Sequence, residues 1–416
     1  MITENTLLSI RTDHVDPSYV PELFLVSTVA AHALGGFEGK TYLNCREALD
    51  NSLSHGCKFF ETDATLSGDG HIILTHDRPK PGDVPPGVEM DSFGFADVTR
   101  DEFLANSLHG YTPLDMDTLY KDYISKYPDI YFELDIQLHE PENAKRFAQA
   151  LIDCFGDDEA ALDRLLIQVF NEQMLDAVES VHHFKNYMLF YKKAAYTIRQ
   201  ATELCVRRGI CAIAINGKTA TANNLSIIRR ANIAALAYTV DNYENAQHLL
   251  DIGANVICTN KLMPDDKPPL RRSVRLLYNS SDSAEEEYSQ LIEKGKLEGT
   301  VNTTRSGKYE FAQRIFINDS LKLQKCHYKR VGYGFVGWRL RFFILKGDKQ
   351  KKTWLWYCKD GSWKPYSEKE AVDARLFKDE ETIPTDILPV GLSVVFQAVW
   401  KEHKGLKKLI SAFLNK

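Results

Sequence analysis

The sequence has no Cys-x-x-Cys pair, no long apolar run and no excess of basic charge, and each absence removes a class of function. Its eight cysteines are scattered, which rules out both a zinc ribbon and a disulfide framework. Cys57, Cys211 and Cys258 fall inside apolar, strand-like runs and read as buried free thiols of a reducing compartment. No stretch approaches the roughly 18 apolar residues of a membrane span, and the start Met-Ile-Thr-Glu-Asn-Thr-Leu lacks a basic segment followed by an apolar one. The expectation is a soluble cytoplasmic protein. Lys and Arg number 51 against 57 Asp and Glu, a net charge of -6. That balance speaks against a nucleic-acid partner, while a local lysine pocket and a divalent metal could still hold a phosphate-bearing substrate.

Tryptophan is absent from the first 337 residues, yet Trp338, Trp354, Trp356, Trp363 and Trp400 crowd the remainder. The boundary coincides with a change of pattern. Upstream, apolar runs at 23–31, 57–64, 130–136, 165–170, 187–190, 210–215, 233–239 and 254–259 alternate with amphipathic segments at 45–54, 115–126, 141–155, 194–207, 223–230 and 243–252. Strands spaced by helices are right-handed βαβ units, and eight of them close into a (β/α)8 TIM barrel. Downstream come Pro264, Pro268 and Pro269, a Ser283 and Glu286 pair resembling a helix-capping box, and short β-like runs at 338–345 and 353–358. The expected domains are a barrel over 1–265, a linker with a helix over 266–299, and a smaller β-rich domain over 300–416 ending in a helix. Core packing accounts for the tryptophans, with sugar stacking as the other reading. The basic final segment, 400–416, packs on the surface or touches a membrane or glycan.

The chemistry-bearing residues lie where strands are expected to end. His32 follows the first run, Glu61-Thr62-Asp63 ends the second, and Ile72-Ile73-Leu74-Thr75 leads into His76-Asp77. Residues two apart on a strand share a face, so Glu61 and Asp63 enter one cavity and repel unless a cation lies between them. Two histidines beside such a pair can move protons near neutral pH. A Pro/Gly-rich stretch, 78–87, lies in the long connection after His76 and reads as a substrate lid.

With Asn44 opening the next helix, the strand Phe132-Glu133-Leu134-Asp135-Ile136-Gln137, and the later stretches Gln168-Val169-Phe170, Tyr238-Thr239-Val240-Asp241-Asn242 and Ile257-Cys258-Thr259-Asn260, the chain resembles the glycerophosphodiester phosphodiesterase family and its phosphatidylinositol-phospholipase-C-like neighbours over most of 25–262. The resemblance implies metal-dependent cleavage of a phosphodiester with His32 and His76 as acid and base. It also implies one divalent cation, Mg2+ or Ca2+, on Glu61, Asp63 and a third acid. Asp135 is preferred for that third place, and Glu133 is the alternative. Two departures stand out: Ala33 replaces the arginine usual after the first histidine, and Leu43 the glutamate usual before Asn44. Asn44, Lys192 and Lys218 are then the implied substrate contacts. The substrate is a small-molecule, lipid or glycan phosphodiester. The rival readings are a phospholipase-like enzyme acting through a cyclic phosphate, and a silent barrel whose C-terminal module binds glycans. Asp77 is read as an orienter of His76 or a loop cap.

Overall fold

The computed structural model describes residues 21–76, 98–106, 110–279, 300–303, 309–317, 321–326, 333–346, 351–365, 373–385, 387–389 and 392–402. Of these, residues up to Arg229 and Ile233–Leu270 form the first unit, and Arg230–Asn232 and the residues from Arg271 on form the second. Strands of the first unit are β1 (Val29–Ala31), β2 (Phe59–Leu66), β3 (Ile72–Leu74), β4 (Tyr131–Ile136), β5 (Leu165–Val169), β6 (Tyr187–Phe190), β7 (Ala212–Asn216), β8 (Ala234–Tyr238) and β9 (Val256–Thr259). Helices are α1 (Arg46–Ser54), α2 (Arg100–Ala105), α3 (Met116–Leu119), α4 (Pro141–Phe155), α5 (Glu159–Leu162), α6 (Glu172–Glu179), α7 (Ile198–Arg208), α8 (Ala222–Arg230) and α9 (Tyr243–Ile252).

The parallel order β1-β9-β8-β7-β6-β5-β4-β2 closes because β1 also pairs with β2, at Ala31 and Phe60. This is the eight-stranded barrel that the alternation of apolar runs and helices implies. Its strands are apolar on both faces because the interior and the helical layer each bury one. The interior packs Phe59, Tyr131, Leu166, Met188, Leu236 and Val256. The ninth strand, β3, is no barrel member: it folds back antiparallel on β2, with Ala64 opposite Leu74. That hairpin carries the chain after Leu74 back to the level of Asp63, whose carbonyl accepts from the Thr75 N–H.

Helix starts follow side-chain capping. Thr197 and Gln200 form a reciprocal capping box at α7, which moves its start from the expected residue 194 to Ile198. The segment expected as one helix over 115–126 begins as α3, capped by Asp115, and then loosens into a π-helical turn over Tyr120–Ile124.

The second unit is β-rich, as expected. Its strands are β10 (Ser273–Asn279), β11 (Thr300–Thr303), β12 (Tyr309–Phe316), β13 (Leu321–Lys322), β14 (Tyr333–Lys346), β15 (Lys351–Tyr357), β16 (Trp363–Pro365), β17 (Leu376–Phe377), β18 (Thr382–Ile383) and β19 (Ser393–Glu402). The main sheet runs β11-β12-β10-β19-β14-β15-β16, with β17 on β14 and a separate β13-β18 pair. Trp338 and Trp356 are fully buried core residues. Trp338 donates its indole N–H to Asp379 at 3.1 Å.

Two boundary expectations need correction. Residues 273–279, expected as linker, form β10, because Val274, Leu276 and Tyr278 alternate into the core of the sheet. Residues 400–402, expected as helix, continue β19 opposite Tyr333, Gly334 and Phe335. The Ser283 and Glu286 capping box, the lid at 78–87, Asp77 and the final segment 403–416 lie outside the described residues. Among the described residues, no helix is long and apolar enough to cross a membrane. None of the eight cysteines is disulfide-bonded, and six are buried.

Candidate active site

The site is built from the pairing of β2 with β4. Parallel register sets Glu61 beside Glu133 and Asp63 beside Asp135, which makes two rows of acids at the barrel mouth. One oxygen each from Glu61, Asp63 and Asp135 lies within 4.8 Å of the others. Glu133 sits outside this trio, fully buried, and its Oε2 has no hydrogen-bond partner among the described residues.

Crowding four acids has a clear electrostatic signature. Burial first, then the charge of Asp63, pushes Asp135 up to about 7. Glu61 is raised by burial and by Asp135, and Asp63 by burial and by Glu61. Glu133 is raised well above the usual carboxylate range, by burial and then by Glu61. Neutral donors hold the carboxylates in place without cancelling their charge. Asp63 accepts from Asn44 Nδ2 and from Gln137 Nε2, each at 2.9 Å. Asp135 accepts from Gln168 Nε2, and Glu61 Oε2 from the Ala33 N–H at 2.7 Å.

An all-oxygen set whose members repel one another fits a hard divalent cation. Burying such charges without a counter-charge is costly, and all three carboxyls are accordingly raised above their usual range by burial and by one another.

His32 opens a tight turn directly after β1. Its Nδ1 lies 2.8 Å from Asn260 Oδ1, and its Nε2 lies 3.8 Å from Glu61 Oε2. The turn is cramped: Gly36 packs so closely on the Asn260 carbonyl that a Cβ there would lie 2.4 Å from its oxygen. His76, exposed at the end of the β3 hairpin, faces the same space. Both imidazoles pack on the Tyr42 ring with centroids 4.7 Å away. The Tyr42 hydroxyl is pushed up by burial and then by Asp63 and Asp241, which sets this ring over the acids.

Of the residues singled out in the sequence, the fold brings His32, His76, Asn44, Glu61, Asp63 and Asp135 to one mouth. Ala33 and Leu43, the two departures from the family pattern, are both buried apolar packing residues. Lys192 is exposed past β6, its ammonium 4.5 Å from the Phe170 ring and 5.7 Å from Phe190. Phe190 stacks on Tyr238, whose hydroxyl is pushed up to about 12 by burial and then by Asp135 and Glu133. Lys192 thus stands on an aromatic wall that reaches the acids. Lys218 is exposed past β7, and its backbone N–H caps onto Asn216.

Sequence reasoning passed over Tyr42, Gln137, Gln168, Asp241, Asn260 and Cys258 as site residues. Cys258 is fully buried with its Sγ within 4.8 Å of His32 and Glu61 ligand atoms. The signal that would have found most of them is a polar Asn, Asp or Gln at or just past the carboxyl end of a barrel strand.

The model of the glycerophosphoryl diester phosphodiesterase family matches residues 36–263, more than half of the 416-residue chain. Among solved structures, the chain is similar to an Oleispira antarctica phosphodiesterase in complex with the product sn-glycerol-3-phosphate. Identity there is 18%, coverage 57% of this chain and 94% of that one, and the TM-score 0.45. A Thermotoga maritima glycerophosphodiester phosphodiesterase gives 17% identity, 56% and 94% coverage and a TM-score of 0.43. One from Parabacteroides distasonis gives 15%, 65% and 99%, and 0.45. Comparison with curated proteins gives no match. With the family model covering the barrel from the loop after β1 onward, the acid-bearing strands β2 and β4 included, the chain belongs to the glycerophosphoryl diester phosphodiesterase family and is a phosphoric diester hydrolase.

Proposed function

We propose that the protein hydrolyses a glycerophosphodiester-type phosphodiester by metal-dependent acid/base catalysis between His32 and His76. The observation that carries this reading is the trio Glu61, Asp63 and Asp135, with ligand oxygens within 4.8 Å of one another beneath two histidines that share the Tyr42 ring. Asp135 is taken as the third metal ligand over Glu133, whose carboxyl is buried outside the trio and raised well above its usual range. When bound, Mg2+ or Ca2+ supplies neutralisation of the non-bridging phosphate oxygens.

The remaining chemistry falls to side chains of this chain. One imidazole takes the proton of the attacking water or substrate hydroxyl, and the other gives a proton to the departing alkoxide. Asn44 keeps Asp63 aimed at the mouth, and Lys192 and Lys218 contact the phosphate or the alcohol next to it. The reading covers small glycerophosphodiesters, phospholipid head groups and glycerol-phosphate glycans. Free buried thiols fit a reducing compartment, so the cytoplasm is the proposed location.

The test is turnover of glycerophosphodiesters and bis(p-nitrophenyl) phosphate with and without EDTA, followed by phosphorus NMR. Direct release of a monoester that stops in EDTA supports the reading. Accumulation of a cyclic phosphate would reassign the nucleophile to the substrate. No metal-dependent turnover, with His32→Ala and His76→Ala equal to the parent, would leave the barrel silent.

A further inference from the structure

The hydrogen bonds behind His32 have a direction, and the direction fixes which ring nitrogen carries the proton. Asp241, just past β8, accepts from the Asn260 backbone N–H at 2.7 Å, from Asn260 Nδ2 at 2.9 Å and from Thr259 Oγ1 at 3.0 Å. Partial burial raises its pKa, but the donors of Asn260 and Thr259 outweigh burial and hold the carboxyl below its usual range. A carboxylate in that state only accepts. Asn260 must therefore turn its amide nitrogen to Asp241, which leaves its Oδ1 facing His32 Nδ1 at 2.8 Å. An amide oxygen also only accepts, so the hydrogen in that contact belongs to His32. The reversed amide would set Oδ1 against a carboxylate oxygen, acceptor against acceptor. Neutral His32 accordingly presents a bare Nε2 lone pair, on the ring edge 3.8 Å from Glu61 and level with the mouth.

We infer that Asp241 and Asn260 are positioning residues that lock His32 in its Nδ1–H tautomer, which makes His32 the general base and leaves proton donation to His76. The assignment rests on the two-histidine reading above and gives each histidine one task. In the attack, the nucleophile O–H bond breaks, its proton goes to His32 Nε2, and the oxygen electron pair forms the new bond to phosphorus. The electron pair of the breaking phosphorus–oxygen bond leaves with the alkoxide, which takes a proton from His76. Both histidines then return to their starting states by exchange with water. Asn260, with no charge of its own, transmits the orientation that the Asp241 carboxylate imposes.

The experiment has two arms. Long-range proton–nitrogen NMR of the labelled protein in EDTA reads the tautomer without any turnover, with the His32 signal assigned by its loss in His32→Ala. Nδ1 of His32 is expected as the protonated nitrogen in the parent. An Nε2–H signature in the parent overturns the inference outright, whether or not any variant folds.

The second arm is kinetic. Asp241→Asn removes the demand on the Asn260 amide, because a carboxamide can donate as well as accept; mixed tautomers and a roughly 10–100-fold fall in kcat with KM within about twofold are expected. The exchanged pair, Asp241→Asn with Asn260→Asp, again presents an acceptor to His32 Nδ1 and should restore both the tautomer and most of kcat. A role in packing alone predicts that the pair is no better than the single variant, and that result would sink the relay. If the parent proves inactive, the reaction proposed above fails while the tautomer is still read; an active parent with the wrong tautomer fails only the relay.

Discussion

Raising the pH of the metal-free protein from about 5 to about 8 should weaken the barrel, because the acids at its mouth keep protons that the unfolded chain releases. Asp135 carries the clearest magnitude. Its pKa moves from 3.8 to about 7, and at 1.36 kcal/mol per unit that is about 4 kcal/mol. This is an upper bound, since Asp135 is only half-buried and water at the mouth screens it. The sign follows from proton counts: between 3.8 and about 7 the folded state binds more protons than the unfolded one, so stability falls across that window and levels off above it. Glu61 and Asp63 are shifted in the same direction and deepen the fall.

A divalent cation held by the ionised trio would reverse the trend. At about 100 times its Kd it adds about 2.7 kcal/mol, so the gap between EDTA and metal-loaded protein should widen as pH rises. Asp135→Asn should do part of the same work: in EDTA at high pH the variant outlasts the parent, yet it gains little from metal. The probe must be helical circular dichroism. The helices α1–α9 lie in the first unit, apart from the last residue of α8, whereas all five tryptophans lie in the second, so tryptophan fluorescence would report the wrong unit. Flat EDTA stability between pH 5 and 8, or an Asp135→Asn variant weaker than the parent at pH 8, would refute the electrostatic reasoning.

Three further outcomes are expected. His32→Ala and His76→Ala should each lower kcat by about 10²–10⁴-fold, and His76→Ala should unfold with the parent because its side chain is exposed; turnover and thermal melts check both. Asn44→Ala deletes a buried amide that gives a hydrogen bond to Asp63 Oδ2 and takes two, from Thr62 Oγ1 and the Asp63 N–H. It should cost about 2–3 kcal/mol in urea denaturation and weaken metal binding about 10–100-fold by calorimetry. Lys192→Ala and Lys218→Ala should raise KM severalfold with kcat retained; an unchanged KM removes that lysine from the substrate path.

The barrel was legible because its strands are buried on both faces, so each reads as a nearly unbroken apolar run whatever its neighbours do. What escaped was short or alternating. β3 shows in the sequence as the apolar run leading into His76, but three residues cannot reveal that it turns back on β2, and α2, α5 and α6 are shorter than a reliable helical pattern. In β10 the alternation Val274, Leu276, Tyr278 was present, but three prolines upstream marked the region as linker. At the site, the Glu-x-Asp spacing alone put Glu61 and Asp63 on one face. The β2–β4 pairing sets Asp135 beside Asp63 and Glu133 beside Glu61, a cross-strand register that spacing along one strand does not contain. Hydrogen-bond direction, on which the roles of Asp241 and Asn260 rest, has no counterpart in spacing.

The loop after β1 was the least legible part, and its conformation is the reason. Ala33, Leu34, Tyr42 and Asn44 all adopt positive φ, from 44° to 66°, a region that costs a side-chain-bearing residue roughly 1–2 kcal/mol. Of the four, only asparagine has any local preference for it, so no propensity scale points there. The strain persists because both ends are tied down. The Asn44 N–H donates to the Ala33 carbonyl at 3.0 Å, the Ala33 N–H donates to Glu61, and the Asn44 side chain is fixed to Thr62 and Asp63 on β2. The acids of β2 thereby hold the loop that sets Tyr42 between the two imidazoles. The coupling runs in both directions: relaxing the loop would release the Asp63 and Glu61 contacts along with the histidine pair, so the placement of the acids and that of the two histidines are one structural element.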